Sequence, residues 1–169
     1  VKRFAKGSFI NTTGVELITN YGVMKGCVRK YIVKGDRDCT IGFLLEGDTI
    51  QNCKSNQYGE LNFMYQCMED TILSTMNEEH RDLILDRFPF LHQAYTESVE
   101  IEMHKLNLEL AHYISSTPEE RYLHLLSIKA DLFNRVPAYY IASYLGIKPE
   151  SLSRIRRRIF EKQKLHLVD

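Results

Sequence analysis

The hydrophobic period of this 169-residue chain changes near Asn77, and that change limits the folds open to it. Before it, Cys27 to Val33, Cys39 to Leu45 and Leu61 to Cys67 are short runs rich in β-branched and aromatic residues. Turn-forming clusters punctuate this half: Asn11-Thr12-Thr13-Gly14, Lys34-Gly35-Asp36 and Glu46-Gly47-Asp48. Short strands at spacings of roughly 8–12 residues build a small barrel or sandwich. Beyond Asn77 the apolar residues recur at helical intervals. The fold class expected is therefore α+β, with the two kinds of structure segregated along the chain.

Asn77-Glu78-Glu79 reads as an N-cap followed by first-turn acids, opening a short helix that ends before Pro89. From Phe90 to Tyr113, the apolar residues Val99, Met103, Leu106, Leu110 and Tyr113 step by 4, 3, 4 and 3. Such a heptad seam either packs on the chain's own barrel or pairs with a second helix in a two-stranded contact. Thr117-Pro118-Glu119-Glu120 carries the pattern of a capping box with Pro at the first helical position. The helix it opens points Tyr122, Leu123, Leu125, Leu126 and Ile128 toward a core. No internal repeat or low-complexity segment is present.

The segment from Val136 to Arg158 is the most informative. Two short helices meeting at a steep angle need a small residue at their contact and a residue tolerant of positive φ in the turn. Ala142 and Gly146 stand at those places. Ile141, Leu145, Ile147, Leu152 and Ile155 supply the apolar faces, and Pro137 and Pro149 each suit a first helical position. On the second helix Leu152, Ile155 and Ile159 define one side, while Glu150, Arg154 and Arg157 lie opposite, flanked by Ser151, Ser153 and Arg158. This is the division a recognition helix requires. Arg154 has the fork that bonds guanine O6 and N7, and Glu150 can accept from cytosine N4. Lys148, Arg157 and Arg158 suit phosphate contacts. An amphipathic helix with a basic solvent face is the plainer reading, and the spacing of Ala142, Gly146, Leu152 and Ile155 argues against it.

Charge supports this placement. The chain is neutral overall, yet Lys148 to Lys164 holds seven basic residues against two acidic ones. A local excess of that kind marks an interaction surface. The longest apolar run, Ile41 to Leu45, is far too short to cross a bilayer, and no apolar region follows Val1-Lys2-Arg3-Phe4. A cytoplasmic location without membrane association is expected. The chain opens without Met, inside a strand pattern, so further N-terminal residues are expected before Val1. Cys27, Cys39, Cys53 and Cys67 are spaced by 12, 14 and 14 residues with no C-x-x-C pair, which argues for reduced, buried thiols over a zinc or iron–sulfur site.

With these residues in view, the sequence resembles the Crp/Fnr-type regulators, particularly those of Bacteroidetes. The resemblance is carried by Pro118-Glu119-Glu120-Arg121-Tyr122-Leu123-His124-Leu125-Leu126, by Val136 to Ile147, and by Pro149-Glu150-Ser151-Leu152-Ser153-Arg154-Ile155. It extends more weakly through Lys6-Gly7, Gly26-Cys27-Val28-Arg29 and Glu46-Gly47-Asp48. It implies an N-terminal β-roll of the cyclic-nucleotide-binding type (a jelly-roll barrel) over residues 1–93. A long dimer helix over 94–114 and a helix-turn-helix DNA-binding domain over 115–169 follow. It also implies that base-reading residues stand at Glu150, Ser151 and Arg154. A homodimer reading double-stranded DNA through an inverted repeat is expected, with Val99, Met103, Leu106 and Leu110 as its seam and RNA polymerase as a candidate partner.

Three features depart from the family pattern. Tyr58-Gly59-Glu60-Leu61 resembles the start of the cyclic-nucleotide cassette, but counting onward puts Asp70-Thr71 where Arg and Ser or Thr would hold the phosphate. No Lys or Arg occurs from Ser55 to His80, so the charge-assisted bonds of a phosphate pocket are missing. Cyclic nucleotide is therefore not expected as effector, and no cofactor or metal is expected. No N-terminal cysteine cluster like that of the oxygen-sensing relatives is seen. Lys148 stands where many relatives carry a Thr or Ser cap, and the tail from Gln163 to Asp169 is too short for a full winged hairpin.

Two rival classes compete with this reading. A metal-dependent barrel enzyme needs strand-borne histidines, and the first histidine is His80. Glu46 and Asp48 fit a structural turn better than an acid–base couple, and no G-x-S-x-G or phosphate-binding glycine loop is present. The protein is not expected to be an enzyme. The other rival is a sensor or protein-interaction module on the same fold that no longer binds DNA; Arg154, Arg157 and Arg158 on one side weigh against it.

Overall fold

The computed structural model describes residues 1–10, 20–51 and 63–165, and the chain divides into two compact units, Val1–His112 and Tyr113–Asp169. Asn11 to Gly14, Cys53 and Tyr58 to Leu61 lie outside the described residues.

The first unit opens with β1 (Lys2–Phe4), β2 (Phe9–Ile10), β3 (Asn20–Lys25) and β4 (Val28–Lys34). It continues with β5 (Arg37–Leu44), β6 (Thr49–Gln51), β7 (Met64–Cys67) and β8 (Thr71–Met76). These form two antiparallel four-stranded sheets in the orders β1-β8-β3-β6 and β2-β7-β4-β5. Alternation decides which side chains meet. In β3 Tyr21 and Val23 turn inward, and in β8 Leu73 does so. They join Ile10, Val28, Ile50, Tyr65 and Cys67 in one core cluster drawn from both sheets. Each of the Ile, Val and Leu side chains among them contributes about 1.5–3 kcal/mol through burial.

The Glu46-Gly47-Asp48 turn read from the sequence has structural work. The Glu46 carboxylate accepts the Gly26 N–H at 2.8 Å, and the Asp48 carboxylate accepts the Leu45 N–H at 2.8 Å. Both acids are thus turn braces. Gly26 has φ +110°, and a Cβ there would stand 2.8 Å from the Thr71 Cα, so only glycine lets the two strands approach. Cys27 and Cys67 are fully buried, and burial pushes the Cys67 thiol above its usual range, against a smaller opposite effect from a Thr71 hydrogen bond. Cys39 is half-buried, so the expectation of buried thiols holds for only two of the three described cysteines.

A buried cation was not anticipated. Arg29 in β4 is 1% exposed. Its Nε donates to Thr40 Oγ1 and its Nη1 to Asp38 Oδ2, both at 2.8 Å, and its guanidinium stacks 4.4 Å from the Tyr31 ring centre. Asp70 has a structural partner as well. It is exposed, in the turn before β8, where its carboxylate accepts the Lys6 N–H at 2.9 Å. Bracing the chain's first turn leaves Asp70 an anion, so it offers a phosphate no cation.

Two helices follow in the chain. The first, α1 (Glu78–Arg87), begins at Asn77, whose side chain accepts the His80 N–H at 2.8 Å. The second, α2 (Phe90–Ser115), has 26 residues and none of them is buried. Val99, Met103, Leu106 and Leu110 are exposed along it.

The second unit contains α3 (Pro118–Ile128), α4 (Leu132–Arg135), α5 (Ala138–Tyr144) and α6 (Pro149–Leu165). The capping box at Thr117 is complete, with Thr117 and Glu120 bonding each other's backbone N–H. Tyr122 and Leu125 of α3 are buried, and Tyr122 meets Phe133 edge to face at 5.3 Å. Leu123 and Ile128, expected to face the core, are exposed instead. Helix α4 is only four residues long, too short for a period to reveal it, yet it buries Leu132 completely.

Candidate nucleic-acid interface

Helices α5 and α6 form the expected helix-turn-helix. Ile141, Ala142 and Leu145 are at most 1% exposed. Gly146 has φ +71°, and a Cβ there would stand 2.5 Å from the Tyr113 hydroxyl. The positive φ calls for glycine, and any Cβ would also have to displace the end of the Tyr113 side chain. The Ile147 N–H donates to the Ala142 carbonyl at 3.0 Å, closing the end of α5. Pro149 is the first residue of α6, as its chemistry predicts, whereas Pro137 stands one place earlier than expected, as the N-cap of α5. Lys148 is exposed just before α6, and its carbonyl accepts from Ser151 and Leu152.

Along α6 the two sides are cleanly divided. Leu152, Ile155 and Ile159 are buried at 2%, 7% and 9% exposure. Glu150, Ser153, Arg154, Arg156, Arg157 and Arg158 are exposed, and Ser151 is half-buried. Helix α6 extends to Leu165, so Gln163 to Leu165, read from sequence as part of a tail, continue the helix, and 166–169 lie outside the described residues.

The exposed cations differ in their company. The Arg154 Nε makes a long contact, 3.4 Å, to the Glu150 carbonyl one turn back. Arg157 pairs with Glu161 at 3.0 Å, and both are well exposed, a geometry of little energetic consequence in water. Arg158 pairs with Glu119 of α3, and Lys162 approaches the same carboxylate at 3.4 Å. An open groove of about 670 Å³ runs between the start of α3 (its cap Thr117, Pro118 and Glu119) and a side formed by Ile147 of the turn with Ser151, Arg154, Ile155 and Arg158 of α6. Ser151 and Arg154 thus line one depression with Arg158. Sequence reasoning missed Glu119 and Lys162 here. In the sequence Glu119 stands only inside the Thr117-Pro118-Glu119-Glu120 capping pattern, and nothing local links residue 119 to residues 158 and 162.

Among the described residues no helix is long and apolar enough to cross a membrane. No group of three or more His, Cys, Asp or Glu among them could hold a metal ion.

Several solved structures share this fold. The chain is similar to FixK2 from Bradyrhizobium japonicum, with a TM-score of 0.72 and 18% identity over 96% of this chain and 84% of that one. It is also similar to a cyclic nucleotide-binding domain containing protein from Listeria monocytogenes, with a TM-score of 0.75 and 15% identity over 95% and 81%. A transcriptional regulator of the crp/fnr family from Eubacterium rectale gives 0.64 and 16% over 95% and 78%. No protein-family model matches the chain, and no curated protein matches it by sequence. The chain has the fold of the Crp/Fnr regulators: an antiparallel β domain of the cyclic-nucleotide-binding type, then helices ending in a helix-turn-helix.

Proposed function

We propose that this protein is a sequence-specific DNA-binding transcription regulator that works as a homodimer in the cytoplasm. One observation carries the reading: α6 buries Leu152, Ile155 and Ile159 while leaving Glu150, Arg154 and Arg157 exposed on its other side. Glu150, Ser151 and Arg154 near its N-terminal end read base edges, and Lys148, Arg157 and Arg158 meet phosphates. Residues 115–169 form the DNA-binding domain, 94–114 the dimer helix and 1–93 the effector-like β-roll.

Two copies pair through Val99, Met103, Leu106 and Leu110, whose exposure along a heptad seam is the support for dimerisation. Two recognition helices about 34–36 Å apart then read an inverted repeat in successive major grooves. The roll does not bind cyclic nucleotide in the family's usual manner. It biases the spacing of the recognition helices by shifting a population of dimer geometries. RNA polymerase is a partner on this reading. Genome-wide DNA capture with the full-length protein tests it: enrichment of one inverted-repeat motif is expected, and capture without any shared motif overturns it.

A further inference from the structure

Arg154, Arg158 and Lys162 recur every four residues on α6, so they form a row of like charges along one side of the helix. Cations at this spacing destabilise a helix unless an anion stands beside them. The anion here is Glu119, in the first turn of α3: its two carboxylate oxygens face the Arg158 guanidinium and the Lys162 ammonium separately. The Glu119 side chain is 24% exposed, whereas those of Arg158 and Lys162 are 56% and 65% exposed. Two solvent-facing cations therefore converge on one partly sheltered carboxylate, at the edge of the groove that Ser151 and Arg154 line.

We propose that Glu119, Arg158 and Lys162 form a DNA-backbone phosphate subsite that the protein's own carboxylate fills when no duplex is bound. The inference rests on the DNA-binding reading and adds to it a competing ligand. A carboxylate and a phosphodiester present the same chemistry to a guanidinium and an ammonium, namely one delocalised negative charge with oxygen acceptors. When a duplex lies along α6, a backbone phosphate takes the two cations and the Glu119 carboxylate turns out to water. Binding must first release this internal partner, so affinity is held down for every sequence alike. Selectivity is untouched, because base edges are read elsewhere on the helix.

The test uses full-length protein and a labelled random-sequence duplex of about 30 base pairs, at about 50 and 200 mM salt. It needs no operator, since the effect is independent of sequence. Replacing Glu119→Gln is expected to tighten binding about tenfold, the combined effect of two freed cations and one fewer like charge beside phosphate. In an Arg158→Ala, Lys162→Ala background most of that gain should vanish, which a merely structural carboxylate would not produce. Unchanged or weaker binding by folded E119Q overturns the proposal, as does a gain that survives intact without the two cations. Should E119Q melt too low to assay, E119D serves, with its charge drawn back by one methylene: tighter binding supports the subsite and unchanged binding overturns it. If neither the unsubstituted protein nor folded E119Q binds a duplex at either salt, the DNA-binding reading is what has failed, whereas binding by E119Q alone supports the subsite.

Discussion

The Tyr113 hydroxyl stands 2.5 Å from the place a Cβ on Gly146 would occupy, so the end of the long helix lies against the turn between α5 and α6. Arg121 adds to the arrangement. Its Nη1 donates to the Tyr113 and Ser116 carbonyls at 3.0 and 3.1 Å, and its guanidinium lies 4.5 Å from the Tyr113 ring centre. A Gly146→Ala change therefore meets two penalties, the left-handed backbone and the hydroxyl. Loss of about 1–3 kcal/mol in the stability of this unit is expected, read as a lowered melting temperature. Tyr113→Phe in the same chain should recover the steric part and leave the backbone part.

Arg154 and Arg157 should behave differently as alanine variants. Arg154→Ala should cost about 1–3 kcal/mol on the captured operator and relax preference at one base pair. Arg157→Ala should weaken binding evenly across sequences and reduce the salt slope by about one. The measurement is a salt series of affinities on operator and random duplexes. A protein-interaction module on this fold would show neither pattern.

The exposed seam of α2 gives a direct test of assembly. Leu106→Glu places a charge at 56% exposure in the isolated chain, so the subunit fold should survive with little change. Paired against its own copy the same charge would be buried twice over and repelled. Sedimentation velocity should show the dimer falling to monomer, with far-ultraviolet dichroism retained. A dimer that persists would place the contact elsewhere.

Cyclic AMP and cyclic GMP should give no saturable binding at micromolar concentration in a calorimetric titration, because the stretch from Ser55 to His80 offers no cation for the phosphate. Saturation in that range would show that a cation outside this stretch serves instead.

Asp38 holds a guanidinium that has little other access to water. Its own side chain is about half exposed while that of Arg29 is 1% exposed, so the pair is sheltered from one side only. Asp38→Ala should destabilise the β unit by about 1–3 kcal/mol, less than loss of a fully buried pair, since solvent can reach the vacated position. Denaturant unfolding of the full chain checks this.

What the sequence determined by itself is what local rules write. Asn77, Thr117 and Glu120, Pro149 and Gly146 mark helix ends because capping, ring geometry and positive φ act within a few residues. The burial of Leu152, Ile155 and Ile159 follows in the same way from the helical period. Only the tertiary structure decided the pairings that span long stretches of chain. The sheet orders bring β1 to β8 and β2 to β7; Asp70 caps Lys6; Arg29 is enclosed with Asp38 and Thr40; Glu119 faces Arg158 and Lys162. No periodicity encodes these, because each depends on which surfaces meet once the elements pack. A residue such as Glu119 looks the same in sequence whether it faces water or two cations.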